Sequence, residues 1–180
     1  MSIVLVGSTS GSVTLQEPAV AGTTVLDLPA VSGTILTTTS PKVGNVIQVV
    51  QATYATQVTS TSSTYADTNL TASITPSSTS SKILVMVNQN GLEKNTNDTS
   101  INIKLFRGAT DLGQLSIASG FTSSTVNNNF GSFSFNYLDT PSTTSATTYK
   151  TQFASNGNNA NVYVQRFGST STITLMEIAG

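Results

Sequence analysis

Cysteine, histidine and tryptophan are all absent from the chain, and charge is scarce, with seven Lys and Arg against eight Asp and Glu in 180 residues. Each absence closes off a class of chemistry. Without cysteine there are no disulfides and no thiolate metal sites, and nothing reports the redox compartment. Without histidine no Ser-His-Asp or Cys-His arrangement can activate a nucleophile, however many hydroxyls are present, and imidazole zinc sites go too. Charged residues make up 8% of the chain, against roughly 25% in ordinary soluble domains. A net charge of -1 leaves no basic field for nucleic acid or anionic lipid. The opening MSIVLVGSTS carries no positive segment and only a four-residue apolar run, so neither a signal peptide nor membrane insertion is expected and the terminus is read as made in the cytoplasm.

What fills the chain instead is hydroxyl: Ser and Thr are about a third of it, while 37% hydrophobic residues suffice for one core. The first forty residues repeat themselves. Gly11, Gly22 and Gly33 recur at a spacing of 11, with Leu15 and Leu26, Pro18 and Pro29, and Val20 and Val31 in the same register. Each repeat is a strand-like run (SVTLQ, TTVLDL) stopped by a proline that cannot donate to a ladder, then a small apolar step and a glycine that can turn. Two such repeats cannot bury their own edges, so copies from other subunits are the expected partners. An arm lying across its own domain is the alternative. Residues 1–40 are thus read as anchor and shaft, TTTSPKVGN as a linker, and 43–180 as a head.

The head is a succession of short apolar runs separated by Ser, Thr, Asn and Gly. Strands are predicted in NVIQVVQ, NLTASI, KILVMVNQ, SINIKLFR, GQLSIAS, SFSFNYL, TYKTQFAS, NVYVQRF and TITLMEIA. Ile101, Ile103 and Leu105 alternate onto one face, as do Phe133, Phe135 and Tyr137, a row expected to be core. No stretch has a helical period. The expected fold is therefore all-β, an antiparallel sandwich and most simply a jelly roll. KILVMV is apolar on both faces, which predicts burial once by its own sandwich and once by something else. With the unpaired edges of the shaft, this predicts an obligate trimer with TITLMEIA near the threefold axis.

The runs from GNVIQVVQATYATQVTSTSSTYADTNLTASITPSSTSSKILVMVNQNG, through INIKLFRGATDLG and LDTPSTTSATTYKTQF, to STITLMEIAG resemble C-terminal domains common in bacteriophage tail fibres and virion surface proteins. The opening resembles the Gly-Thr and Pro-Ala-Val repeats that precede such heads. The resemblance implies a homotrimeric jelly-roll head, like those of complement-type and tumour necrosis factor-like proteins, on an intertwined β shaft. It implies a virion surface location, with the N-terminus held by capsid or tail proteins.

The eight carboxylates, Glu17, Asp27, Asp67, Glu93, Asp98, Asp111, Asp139 and Glu177, are not grouped in the sequence as a glycosidase pair would need. No enzyme activity, cofactor or metal is expected; calcium at Asp98 with Asn95 and Asn97 is weighed and set below a solvated turn. Recognition is placed instead on the Asn-rich connections EKNTNDT, TVNNNFG and SNGNNAN, with Asn127, Asn128, Asn158 and Asn159 as contacts to a host glycan or other host surface. Tyr137, Tyr149, Phe153 or Tyr163 could add a flat apolar face. Ordinary turn chemistry is the plain alternative for each loop. Arg107 is read as exposed or at an interface. Two roles fit: a short tail fibre or tip for host adsorption, and a capsid decoration protein or head fibre. A free lectin or a depolymerase is a third, less favoured class.

Overall fold

The computed structural model describes residues 2–6, 9–16 and 42–180. The chain falls into two compact units, Met1–Ile35 and Leu36–Gly180. In the first, strands β1 (Ser2–Val6) and β2 (Ser12–Gln16) form an antiparallel hairpin, with Ser2 opposite Gln16 and Val6 opposite Ser12. Gly11 precedes β2 at φ +81°, a left-handed conformation that glycine adopts without strain. The sequence reading took IVLV only as an apolar run. It is instead a strand, so SVTLQ pairs along one edge within its own chain rather than with copies alone. Gly22, Gly33, Pro18 and Pro29 lie outside the described residues.

The second unit contains β3 (Val46–Tyr54), β4 (Val58–Ser60), β5 (Ala66–Ile74), β6 (Lys82–Lys94), β7 (Thr99–Arg107), β8 (Thr110–Thr122), β9 (Asn128–Asp139), β10 (Thr147–Asn156), β11 (Val162–Val164) and β12 (Ser171–Ile178). The long strands pair as one nested hairpin: β7 with β8, β6 with β9, β5 with β10 and β3 with β12. Rolled up, the hairpin gives two antiparallel sheets, β9-β6-β12-β3 and β5-β10-β7-β8, the jelly-roll arrangement. The short strands β11 and β4 continue the first sheet beside the end of β6.

Period-two alternation decides what faces inward. Leu70, Ile74, Ile83, Val85, Ile101, Ile103, Leu105, Ile173 and Leu175 meet between the sheets, nearly or wholly buried. Phe133, Phe135 and Tyr137 pack against that core only half-buried, because β9 lies at a sheet edge; the two phenylalanine rings stack at 6.4 Å. On the outer face of the first sheet, Val49, Met176, Leu84 and Leu138 stand in register as one apolar row across four strands. Val49 and Leu138 are each 53% exposed. This row carries the second apolar face of KILVMV.

Three expectations change. NVYVQRF is strand only over Val162–Val164, after which Gln165 and Phe167 take left-handed conformations (φ 53° and 57°) around the 3-10 turn Arg166–Gly168. Strand β4 was not anticipated, since three residues carry no readable period. Arg107 is not a free surface arginine: its guanidinium donates to both oxygens of Asp139 at 2.8 and 2.9 Å, and Asp139 also accepts from the Tyr149 hydroxyl at 2.6 Å. Asp139 belongs to one sheet and Arg107 and Tyr149 to the other, so the cluster stitches the sandwich together. Burial first, and then the Asp139 carboxylate, pushes the Tyr149 phenol far above its usual range.

The sandwich has two distinct ends. At the root end the chain comes in beside its own C-terminus, with the Gly44 N–H donating to the Ala179 carbonyl at 2.8 Å and the Ala179 N–H to Asn45 at 2.9 Å. Here the buried Glu177 carboxylate accepts from the Ser77 N–H and hydroxyl and from Gln48, at 2.6 to 2.7 Å. The far end of β6, Lys94, lies about 40 Å away at the rise of an extended strand.

Candidate functional site

Strand pairing brings the ends of β6, β8 and β10 to the same end of the sandwich, so the three Asn-rich connections gather there. The β6–β7 loop covers 95–98, the β8–β9 loop 123–127 and the β10–β11 loop 157–161. They are bonded into one cap. The Asp98 N–H donates to the Thr122 carbonyl at 2.8 Å, the Asn95 N–H to Asn161 at 3.3 Å, and the Asn158 amide to the Asn97 carbonyl at 3.2 Å.

Lys94 holds this cap from beneath. Its side chain is fully buried, and its ammonium donates to the carbonyls of Thr96 (3.0 Å), Thr122 (3.2 Å) and Thr125 (2.8 Å) and to the Thr122 hydroxyl. A buried lysine is tolerated only where such oxygens replace water. The sequence reading missed it, because Lys94 resembles any loop-flanking lysine; the one available signal is its place directly after the inward-facing run of β6.

Of the four asparagines singled out from the sequence, Asn127, Asn158 and Asn159 are exposed on this cap, and Asn128 is half-buried. Asn158 and Asn159 both have positive φ, 38° and 46°. Asn128 donates to the Gly120 carbonyl at 3.1 Å, which ties the start of β9 to β8. Asn127 and Asn159 therefore present their amides to solvent, while Asn128 and Asn158 also brace the loops. Two of the aromatic candidates are ruled out as ligand faces: Tyr149 and Phe153 are fully buried. Tyr137 is half-buried against the core in β9, opposite Val85, and Tyr163 is half-buried beside the cap and bonded through its hydroxyl to the Asn95 amide at 2.9 Å.

Sequence reasoning also missed the turn after β11. The Arg166 guanidinium lies 4.3 Å from the Tyr163 ring centroid and 4.8 Å from that of Phe167. It donates to Glu93 at 3.2 Å and to Gln57 at 2.8 Å. Phe167 itself is 75% exposed.

No family model matches the chain, and none of the curated proteins does. Among solved structures, it is similar to the VP2 subviral particle of infectious bursal disease virus, at 12% identity and TM-score 0.42 over 74% of this chain and 33% of that one. It is likewise similar to T=1 particles derived from infectious bursal virus, at 12% identity and TM-score 0.44 over 98% of this chain and 44% of that one. The chain thus spans less than half the length of either.

The described carboxylates are engaged singly. Asp67 meets Lys150 at 2.9 Å, Asp111 meets Lys104 at 2.6 Å, Glu93 meets Arg166, and Asp139 and Glu177 have the partners already given. Asp98 accepts from the Asn97 amide at 3.3 Å within a turn where its own φ is 53°. Among the described residues no three acidic side chains converge. The chemistry that the loop end offers is hydrogen bonding by amides and hydroxyls, together with stacking on Tyr163 and Phe167.

Proposed function

We propose that the chain is a non-enzymatic structural protein of a tailed-phage virion: a homotrimeric surface appendage, rooted through its N-terminal segment in capsid or tail proteins and touching the host surface with the loop end of its head. The observation that carries this reading is the polarity of the head. The chain comes in at the root end, and the Asn-rich loops lie at the other, with about 40 Å of strand between them.

The apolar row Val49, Met176, Leu84 and Leu138 supports self-association. It has no charged member, nor does the next row toward the loop end, Gln51, Thr174, Met86 and Asn136; Lys82, opposite Ile178 in the row toward the root end, is the one charge in these three rows, so a second copy meets a largely uncharged face. Strand β12, containing TITLMEI, lies centrally under this row, where a threefold axis would pass. Several heads per appendage would multiply a weak host contact by effective concentration, without any new interaction.

Native mass measurement of the full chain tests the assembly: three copies are expected, and Leu84→Glu should release monomers. A wild-type monomer would end the trimer reading. Labelling intact virions tests the role, with Asn127→Ala combined with Asn159→Gly as the loop variant, since glycine preserves the positive φ at 159. Reduced adsorption with the protein at the tail supports the fibre. Unchanged adsorption with the protein on the capsid shell identifies the decoration alternative. Shortening of host polysaccharide by the purified chain would overturn the non-enzymatic claim.

A further inference from the structure

The turn after β11 spends backbone energy on exposing a phenylalanine. Phe167 has φ 57° and ψ 28°, and Gln165, two residues earlier, has φ 53° and ψ 33°. Left-handed conformations are costly for bulky side chains and persist only where the surroundings impose them. The surroundings here are specific. Gln165 is fully buried; its N–H donates to the Asn90 carbonyl at 2.9 Å and its side-chain amide to Ser171 at 3.2 Å. The Ser169 hydroxyl and N–H both donate to the Arg166 carbonyl, at 2.7 and 3.1 Å. Gly91 lets β6 approach so closely that any side chain there would overlap the Arg166 backbone. What this machinery holds is a phenyl ring that is 75% exposed, with the Arg166 guanidinium near its face and fixed by Glu93 and Gln57.

We infer that Phe167 and Arg166, flanked by Gln57 and Asn95, form a saccharide-binding subsite at the loop end, in which the ring stacks on the apolar C–H face of a neutral sugar. This rests on the proposed role of that end in surface recognition and names its ligand class. Three observations favour a sugar over a protein partner. The exposed apolar area is a single ring beside a guanidinium that Glu93 and Gln57 hold, whereas a protein hot spot sits in a pocket ringed by water-excluding contacts. Arg166 is already neutralised by Glu93, so no net charge calls for an anionic ligand. The amides of Gln57 and Asn95 and the guanidinium are planar groups anchored by hydrogen bonds, suited to ring hydroxyls at little entropic cost.

The test uses the full chain on immobilised neutral hexose and N-acetylhexosamine oligosaccharides, with Phe167→Gly, Phe167→Trp and Arg166→Lys, and a parallel thermal melt. Phe167→Gly should weaken binding about tenfold, the order expected for one lost aromatic stack. It should leave the melting temperature unchanged or raised, because glycine accepts the left-handed backbone without strain. Phe167→Trp should restore binding, and Arg166→Lys, which keeps the charge and loses the planar fork, should weaken it. Binding that ignores Phe167, a melting temperature that falls in Phe167→Gly, or a wild-type chain that binds none of these sugars yet adheres to cells through Phe167 would each overturn the inference. The last outcome would point to a protein ligand. Particles that carry the trimer and adhere independently of Phe167 refute this subsite alone, whereas a chain that adheres to nothing refutes the surface-recognition reading beneath it.

Discussion

Replacing Tyr149 with Phe removes one oxygen from the seam between the sheets and nothing else. The hydroxyl donates to Asp139 at 2.6 Å from a fully buried side chain. A hydrogen bond to a charged acceptor contributes about 1.5–3 kcal/mol. For a chain of this size each kcal/mol moves the melting temperature by roughly 2–4 °C, so Tyr149→Phe should lower it by roughly 3–12 °C. Asp139→Ala should cost more, about 3–5 kcal/mol, because it strands both the buried hydroxyl and the Arg107 guanidinium. Arg107 is 28% exposed on its side chain and can recover water, which holds that figure toward its lower bound. The decisive measurement is the double-mutant cycle between Tyr149 and Asp139, read by urea denaturation. Coupling of about 1.5–3 kcal/mol is expected. A Tyr149→Phe protein within about 0.5 kcal/mol of wild type, or coupling near zero, would refute the stitch. In the wild-type protein an alkaline absorbance titration should leave Tyr149 protonated well above the usual phenol range, and its ionisation within that range would contradict the buried bond to Asp139.

Glu177 makes stability acid-sensitive. Burial, the largest single effect, raises its pKa, but hydrogen bonds from Ser77 and Gln48 together outweigh it and hold the folded value below the usual glutamate range. Its contribution is therefore complete above the unfolded value and is lost as pH falls through the lower folded one; Glu177→Gln should flatten the acid limb of a stability–pH curve, and an unchanged limb would contradict this. Gly91→Ala, at φ 62° and against the Arg166 backbone, should destabilise by more than about 1 kcal/mol in thermal melts, and a neutral result would show that the β11 turn is not braced there. Lys94→Met should cost about 1–3 kcal/mol, mainly from the Thr96 carbonyl. Thr122 keeps the Asp98 N–H and Thr125 keeps the Thr122 hydroxyl, so faster hydrogen exchange confined to 95–98 is the expected signature.

Alternation along Ile101–Leu105 and Phe133–Tyr137 marked the strands and their inward faces from sequence alone, because a strand's two faces differ whenever only one is buried. The absence of histidine and cysteine restricted chemistry in the same direct way. The Asn-rich loops were legible as surface connections, since Asn and Gly accept left-handed turns that other residues resist. Boundaries were less legible: β6 runs on through Asn90–Lys94 because β9 pairs with it, and pairing does not depend on the polarity of the residue.

Only the tertiary structure could decide which residues meet. Arg107 is 32 residues from Asp139, and both meet Tyr149 because the nested hairpin folds one sheet over the other; the same fold buries Tyr149 and Phe153, which sequence alone left free to face a ligand. Convergence of two loops on the buried Lys94, with the third bonded to the first of them, follows from strand order, which no local pattern encodes. Nor does composition reveal that Gln165 and Phe167 adopt left-handed backbones: that geometry is imposed by Asn90, Ser171 and the close approach of Gly91, contacts spanning some eighty residues of chain. Local periodicity records how each segment is half-buried, whereas sites arise from non-local packing, and for this protein the exposed ring of Phe167 is its clearest product.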